Sequence, residues 1–78
     1  MNQLWEIYGM RKYLKLSQRE FANKIGYSRS AINDIENMRR KPSETFLIAF
    51  NEVFQSERTD EFYLFLSNLK QIVYKYPK

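Results

Sequence analysis

Residues 17–37 read Ser-Gln-Arg-Glu-Phe-Ala-Asn-Lys-Ile-Gly-Tyr-Ser-Arg-Ser-Ala-Ile-Asn-Asp-Ile-Glu-Asn, an order that spells two short helices joined by a tight turn. Ser17 followed three residues later by Glu20 has the spacing of a capping box, in which each side chain takes up a free backbone N–H at a helix start. The first helix therefore begins at Gln18. Phe21, Ala22 and Ile25 recur on one helical face, and Gly26 supplies the left-handed conformation that a bulkier residue resists, so the helix stops there. Ser28 caps a second helix, in which Ile32 and Ile35 point inward with Ala31 at their flank. At about 100° per residue, the opposite arc carries Ser30, Asn33, Asp34 and Asn37, with Arg29 at its edge. One face is buried and the other offers hydrogen-bonding groups.

Composition narrows what such a face can do. The chain has 78 residues, enough for one small domain with little stability to spare. It has neither cysteine nor histidine, which removes disulfides, thiolate and imidazole chemistry and nearly all zinc or copper sites. No nucleophile–base pair can be assembled from what remains, and no carboxylate pair has a defined cleft, so an enzyme is not expected and neither is a cofactor. The first residues, Met1 to Glu6, contain no basic segment leading into an apolar run, and nothing approaches the roughly 18 apolar residues of a membrane span. A cytoplasmic protein with no membrane partner is the expectation. Residues 1–41 hold nine Lys/Arg against four Asp/Glu, whereas residues 42–78 hold four against five. Positive potential thus belongs to the half that carries the helix pair, as a polyanion-binding surface requires.

Arg11, Ser17-Gln18, Ala22, Gly26-Tyr27-Ser28, Ile32, Ile35-Glu36 and Arg40-Lys41-Pro42 stand at offsets that resemble the phage repressor and Cro-like helix-turn-helix regulators, the xenobiotic-response-element class. The likeness covers about the first 54 residues without a gap. It implies an all-α fold of about five helices, with the second helix of the motif lying in the major groove of double-stranded DNA. It also implies an internal ion pair between Arg11 and Glu36 that ties the first helix to the end of the third and leaves guanidinium hydrogens for a phosphate. Gln18 contacts a phosphate in this family, at a helix N-terminus that already favours anions. The family usually has glycine where Lys15 and Met38 stand, so those helix exits need another backbone conformation or strain, and Asn37 is a substitute at the second.

Residue chemistry assigns the remaining roles. Arg29, Ser30, Asn33 and Asp34 are the candidates for base reading: arginine suits guanine O6/N7, asparagine suits adenine N6/N7 and serine pairs with either. Asp34 accepts from cytosine N4, tunes specificity by repulsion, or faces a neighbouring lysine. The loop Asn37 to Lys41 places Arg39, Arg40 and Lys41 just past the reading helix, where they address phosphates; with Gln18 and Arg11, whose phosphate roles the resemblance implies, and with Ser28 and Asn37, they make up the candidate phosphate set.

The flanking segments supply the core. Leu4, Ile7, Met10, Arg11 and Leu14 trace one side of a first helix, where Gly9 allows close approach of another helix. Pro42 and Ser43 start a fourth, with Phe46, Phe50, Val53 and Phe54 inward. Beyond a polar bend, Thr59 caps a final helix whose Phe62, Phe65, Leu66, Leu69, Ile72, Val73 and Tyr76 fall within an arc of about 120°. Residues 1–58 thus form the helix-turn-helix unit, and 59–78 an amphipathic C-terminal helix of the same domain. Its stripe predicts a homodimer interface, with an intramolecular cap as the alternative. The resulting functional expectation is a sequence-specific DNA-binding transcriptional regulator, a repressor that occludes a promoter. The alternative is an antitoxin- or antirepressor-like interaction module whose protein partner binds the aromatic C-terminal helix.

Overall fold

The computed structural model describes residues 3–75 and the side chains of 3–69. The described residues form five α-helices: α1 Gln3–Tyr13, α2 Gln18–Ile25, α3 Arg29–Glu36, α4 Glu44–Phe54 and α5 Asp60–Lys75, with a 3-10 turn at Gln55–Glu57 before the last. Every start from α2 to α5 has a hydroxyl cap. Ser17, Ser28 and Ser43 accept from the N–H groups of Glu20, Ala31 and Phe46, and Thr59 accepts from that of Phe62 at 3.2 Å. At Ser17 the capping box is complete, because the Glu20 carboxylate in turn accepts from the Ser17 N–H at 2.8 Å.

Three helix exits share one chain reversal. After α1 the Leu16 N–H donates to Arg11 O at 3.0 Å, after α2 the Tyr27 N–H donates to Ala22 O at 2.9 Å, and after α3 the Arg39 N–H donates to Asp34 O at 2.8 Å. Each such bond requires a left-handed residue between the helix and the donor. Gly26 meets the need at φ 87°, but Lys15 and Met38 meet it as well, at φ 59° and 62°. The strain expected at these two exits is therefore taken by the residues themselves. Asn37 does not substitute for Met38: its φ of −94° lies in the ordinary region, because the reversal needs its left-handed residue one position later.

Packing brings α2 against α3 and α4, and α1 against α5 and α3. The shared core comprises Ile7, Met10, Phe21, Ala22, Ile25, Ile32, Ile35, Phe46, Phe50, Phe54, Phe62 and Leu66. Phe46, Phe50 and Phe54, four residues apart, centre the inner face of α4, and Phe54 stacks on Phe21 with ring centroids 5.1 Å apart. Val53, expected inside, is 41% exposed, because it falls at the margin of the face those phenylalanines define.

The described part of the C-terminal stripe folds back over the domain. Phe62 is fully buried and Leu66 nearly so, Tyr13 meets both Phe62 and Phe65 with centroids 5.4 Å apart, and a Cβ on Gly9 would run into Leu66. Gly9 thus serves the close approach expected of it, and α5 is the helix that approaches. This corrects the dimer-interface assignment of Phe62 and Leu66: both are covered by their own chain. Phe65 and Leu69 are half-buried, while the side chains of Ile72 and Val73 and all of Tyr76 lie outside the described residues. Arg58 fixes the entry to α5 by donating to Glu6 on α1 and to Asn51 on α4 at 2.7 Å, with its guanidinium 5.4 Å from the Phe50 ring centroid. Burial opposes the charge of Arg58, but the bonds to Glu6 and Tyr63 outweigh it and hold the guanidinium above its ordinary pKa.

Candidate nucleic-acid interface

Ala31, Ile32 and Ile35 fasten α3 to the core, which turns its other side outward. Arg29 and Ser30 are exposed in its first turn, Asn33 and Asp34 are half-buried one turn later, and Asn37 is exposed at its end. The arc read from the sequence is thus physically one surface.

Beneath it lies a polar network that sets the angle between α1, α2 and α3. Arg11 grips Glu36 side-on, Nε to Oε2 at 2.7 Å and Nη2 to Oε1 at 2.9 Å, while Nη1 donates to the Leu16 carbonyl at 3.0 Å. Only 11% and 6% of the two side chains' surface remains exposed, so the pair is an internal tie rather than a solvated one. Breaking a buried pair by removing one partner typically costs about 3–5 kcal/mol, because the other charge is stranded. Gln18 joins from α2: its Nε2 donates to Glu36 Oε1 at 3.0 Å and to Asn33 Oδ1 at 3.3 Å. Asn37 Nδ2 donates to the Asn33 carbonyl at 2.9 Å and to Asn33 Oδ1 at 3.0 Å.

The network bears on the phosphate candidates. The amide hydrogens of Gln18 and Asn37 are taken up by acceptors of the protein itself, so their side chains present acceptors, not donors, to an incoming anion. At the start of α2, however, the capping box consumes the N–H groups of Ser17 and Glu20 and leaves those of Gln18 and Arg19 directed outward. Ser28 Oγ accepts from the Ala31 N–H at 3.1 Å, which leaves the N–H groups of Ser28, Arg29 and Ser30 at the start of α3. Arg39 is partly committed: its Nη1 lies 3.3 Å from Asp34 Oδ1, so the neighbour that Asp34 faces is an arginine from the following loop, not a lysine. Arg29, Arg40 and Lys41 are exposed and have no acidic partner among the described residues. Arg19 is exposed in the first turn of α2 and equally unpaired; lying outside any motif position, it is not picked out by sequence.

The sequence profile of the helix-turn-helix family matches residues 7–62, from the second turn of α1 to the first of α5. The chain therefore belongs to that family, in its phage repressor and Cro-like branch, whose members are DNA-binding transcription regulators. No curated protein and no solved structure matches the chain. Among the described residues, no helix is long and apolar enough to cross a membrane.

Proposed function

We propose that this protein is a sequence-specific regulator of transcription, a repressor, that lays α3 in the major groove of duplex DNA. The observation that carries the reading is the two-sidedness of α3: Ala31, Ile32 and Ile35 in the core, Arg29, Ser30, Asn33 and Asp34 outward, and the unpaired cations Arg40 and Lys41 in the loop directly after it. Cations at that position address phosphates and fix the helix in register, while the side chains of the helix meet base edges. The free N–H groups at the starts of α2 and α3 add two uncharged phosphate contacts, centred on Gln18 and Ser28. Arg11 contributes through the guanidinium hydrogens left over from Glu36 and Leu16. Occlusion of a promoter is the mechanism such a compact module supports most simply.

A homodimer on a two-fold operator belongs to the same proposal, with successive major grooves about 34 Å apart. Since Phe62 and Leu66 are used internally, the contact between copies falls to the outer side of α5, where Tyr63 and Leu64 are 40% and 65% exposed. The interaction-module alternative drew on the aromatic stripe of α5, and the burial of Phe62 and Leu66 by their own chain weighs against it. Selection of bound sequences from random duplex DNA tests the proposal. A two-fold symmetric consensus is the expected result; recovery of unenriched sequence would overturn it.

A further inference from the structure

The hydrogen bonds around Asn33 determine which end of its amide faces outward. Glu36 Oε1 is a carboxylate oxygen and the Asn33 main-chain oxygen is a carbonyl, so each can only accept. The Gln18 atom 3.0 Å from Glu36 and the Asn37 atom 2.9 Å from the Asn33 carbonyl must therefore be the amide nitrogens. Both nitrogens also donate to the same side-chain atom of Asn33, at 3.3 and 3.0 Å, so that atom is the oxygen. An amide oxygen has two lone pairs, and here both are used. The nitrogen, with two hydrogens and no acceptor among the described residues, is what Asn33 has left to offer.

From this we infer that Asn33 reads DNA as a donor only and selects guanine over adenine. The inference rests on the proposal that α3 is the groove-facing helix. Adenine recognition by asparagine needs the amide oxygen to accept from N6 while the nitrogen donates to N7. With its oxygen held by Gln18 and Asn37, Asn33 cannot complete that pair, and its NH2 group meets the N6 amino group donor to donor. Guanine instead presents two adjacent acceptors, O6 and N7, to the two free hydrogens. Gln18 and Asn37 thus act as positioning residues for specificity, and they reverse the preference that an isolated asparagine on a reading helix would have.

The test begins with the consensus selected by the intact protein and by Asn33→Ala. The base pair whose preference disappears in Asn33→Ala identifies the contact, and guanine is expected there. In the intact protein, adenine at that position should weaken binding by about 5- to 150-fold, the range for one good base contact. Inosine, which keeps O6 and N7, should bind like guanine, and 7-deazaguanine should bind worse. In the double variant Gln18→Met/Asn37→Ala the oxygen is released, and the penalty for adenine should fall to near unity. Adenine in the Asn33-dependent position, an inosine penalty as large as that of adenine, or no position that depends on Asn33 would overturn the inference while the groove reading stands. Absence of any consensus would overturn both. The comparison of duplexes with the unaltered protein remains decisive should the double variant not fold, and circular dichroism establishes whether it does.

Discussion

Arg39 and Arg40 are sequence neighbours of like charge, yet their surroundings assign them different tasks. Arg40, like Lys41, is exposed and unpaired, so Arg40→Ala is expected to weaken binding to all sequences alike and to reduce the slope of log K against log salt by about 0.9, the contribution of one neutralised phosphate. Arg39 sits 3.3 Å from Asp34 and offsets the one acidic side chain on the outward arc of α3. Arg39→Ala therefore removes a cation and also exposes an uncompensated carboxylate to the DNA. Its loss of affinity should exceed that of Arg40→Ala and be partly recovered in Arg39→Ala/Asp34→Asn, because the repulsion then disappears. Fluorescence anisotropy titrations over a range of salt concentrations measure both quantities. Equal losses in the two single variants, or no recovery in the double one, would show that the Asp34–Arg39 contact is incidental. The pair itself contributes little to folding, since Arg39 is 64% exposed and exposed pairs are typically worth about 0–1 kcal/mol.

The helices are held to their lengths by caps, and those caps decide how much was legible beforehand. Ser17, Ser28, Ser43 and Thr59 were readable because a hydroxyl oxygen and the N–H that donates to it lie three residues apart in the chain, so local sequence contains the whole interaction. The same holds for Gly26. Lys15 and Met38 were readable only as absences of glycine, since nothing local says whether a chain will reroute or tolerate strain. The Gln18–Glu36–Asn33 network was not readable at all: Gln18 stands 18 and 15 residues from its acceptors, and their meeting depends on the angle between α2 and α3. Likewise, the stripe on α5 announced burial without saying against what, because the hydrophobic pattern has no partner written into it. Two experiments follow at this scale. Lys15→Gly and Met38→Gly should each stabilise the fold by roughly 0.5–1 kcal/mol, since relief of a left-handed strain of about 1–2 kcal/mol exceeds the extra entropy lost by glycine. Urea midpoints measure the gain, and a loss of stability would mean that those side chains contribute contacts larger than the strain. For the capping box, the Ser17 N–H bond, aided by the Ser17 hydroxyl and Lys24, lowers the Glu20 pKa. A folded-state pKa below the unfolded one means a contribution that is present above the unfolded value and lost as pH falls through the folded value. Stability should thus decline on acidification through the carboxylate range, and less steeply in Glu20→Gln, which retains the bond but cannot titrate. Parallel denaturation curves for the two proteins across that range would remove Glu20 from the explanation.

At the scale of the whole molecule, the question is whether α5 is an appendage of a finished domain or part of what makes it fold. Phe62 and Leu66 belong to the same core as Ile7 and Met10, and Gly9 has no side chain where Leu66 arrives. Deleting α5 removes both anchors. Large-to-small changes at single buried positions of these types cost about 2–5 kcal/mol, and a domain of this length is expected to have only about 4–12 kcal/mol in all. A chain ending at Arg58 should therefore lose cooperative unfolding and helical circular dichroism, although it retains α1 through α4 and every candidate DNA contact. Leu64→Asp serves as the counterpart, since Leu64 is 65% exposed and its loss leaves the core intact. That variant should melt like the parent protein while sedimenting as a monomer, and it should bind a half-site as the parent does but a full two-fold site more weakly. A truncated chain that stays folded would make α5 an appendage after all. A Leu64→Asp protein with unchanged sedimentation and unchanged full-site affinity would remove the outer side of α5 from the dimer, because burying a carboxylate in an apolar contact is costly.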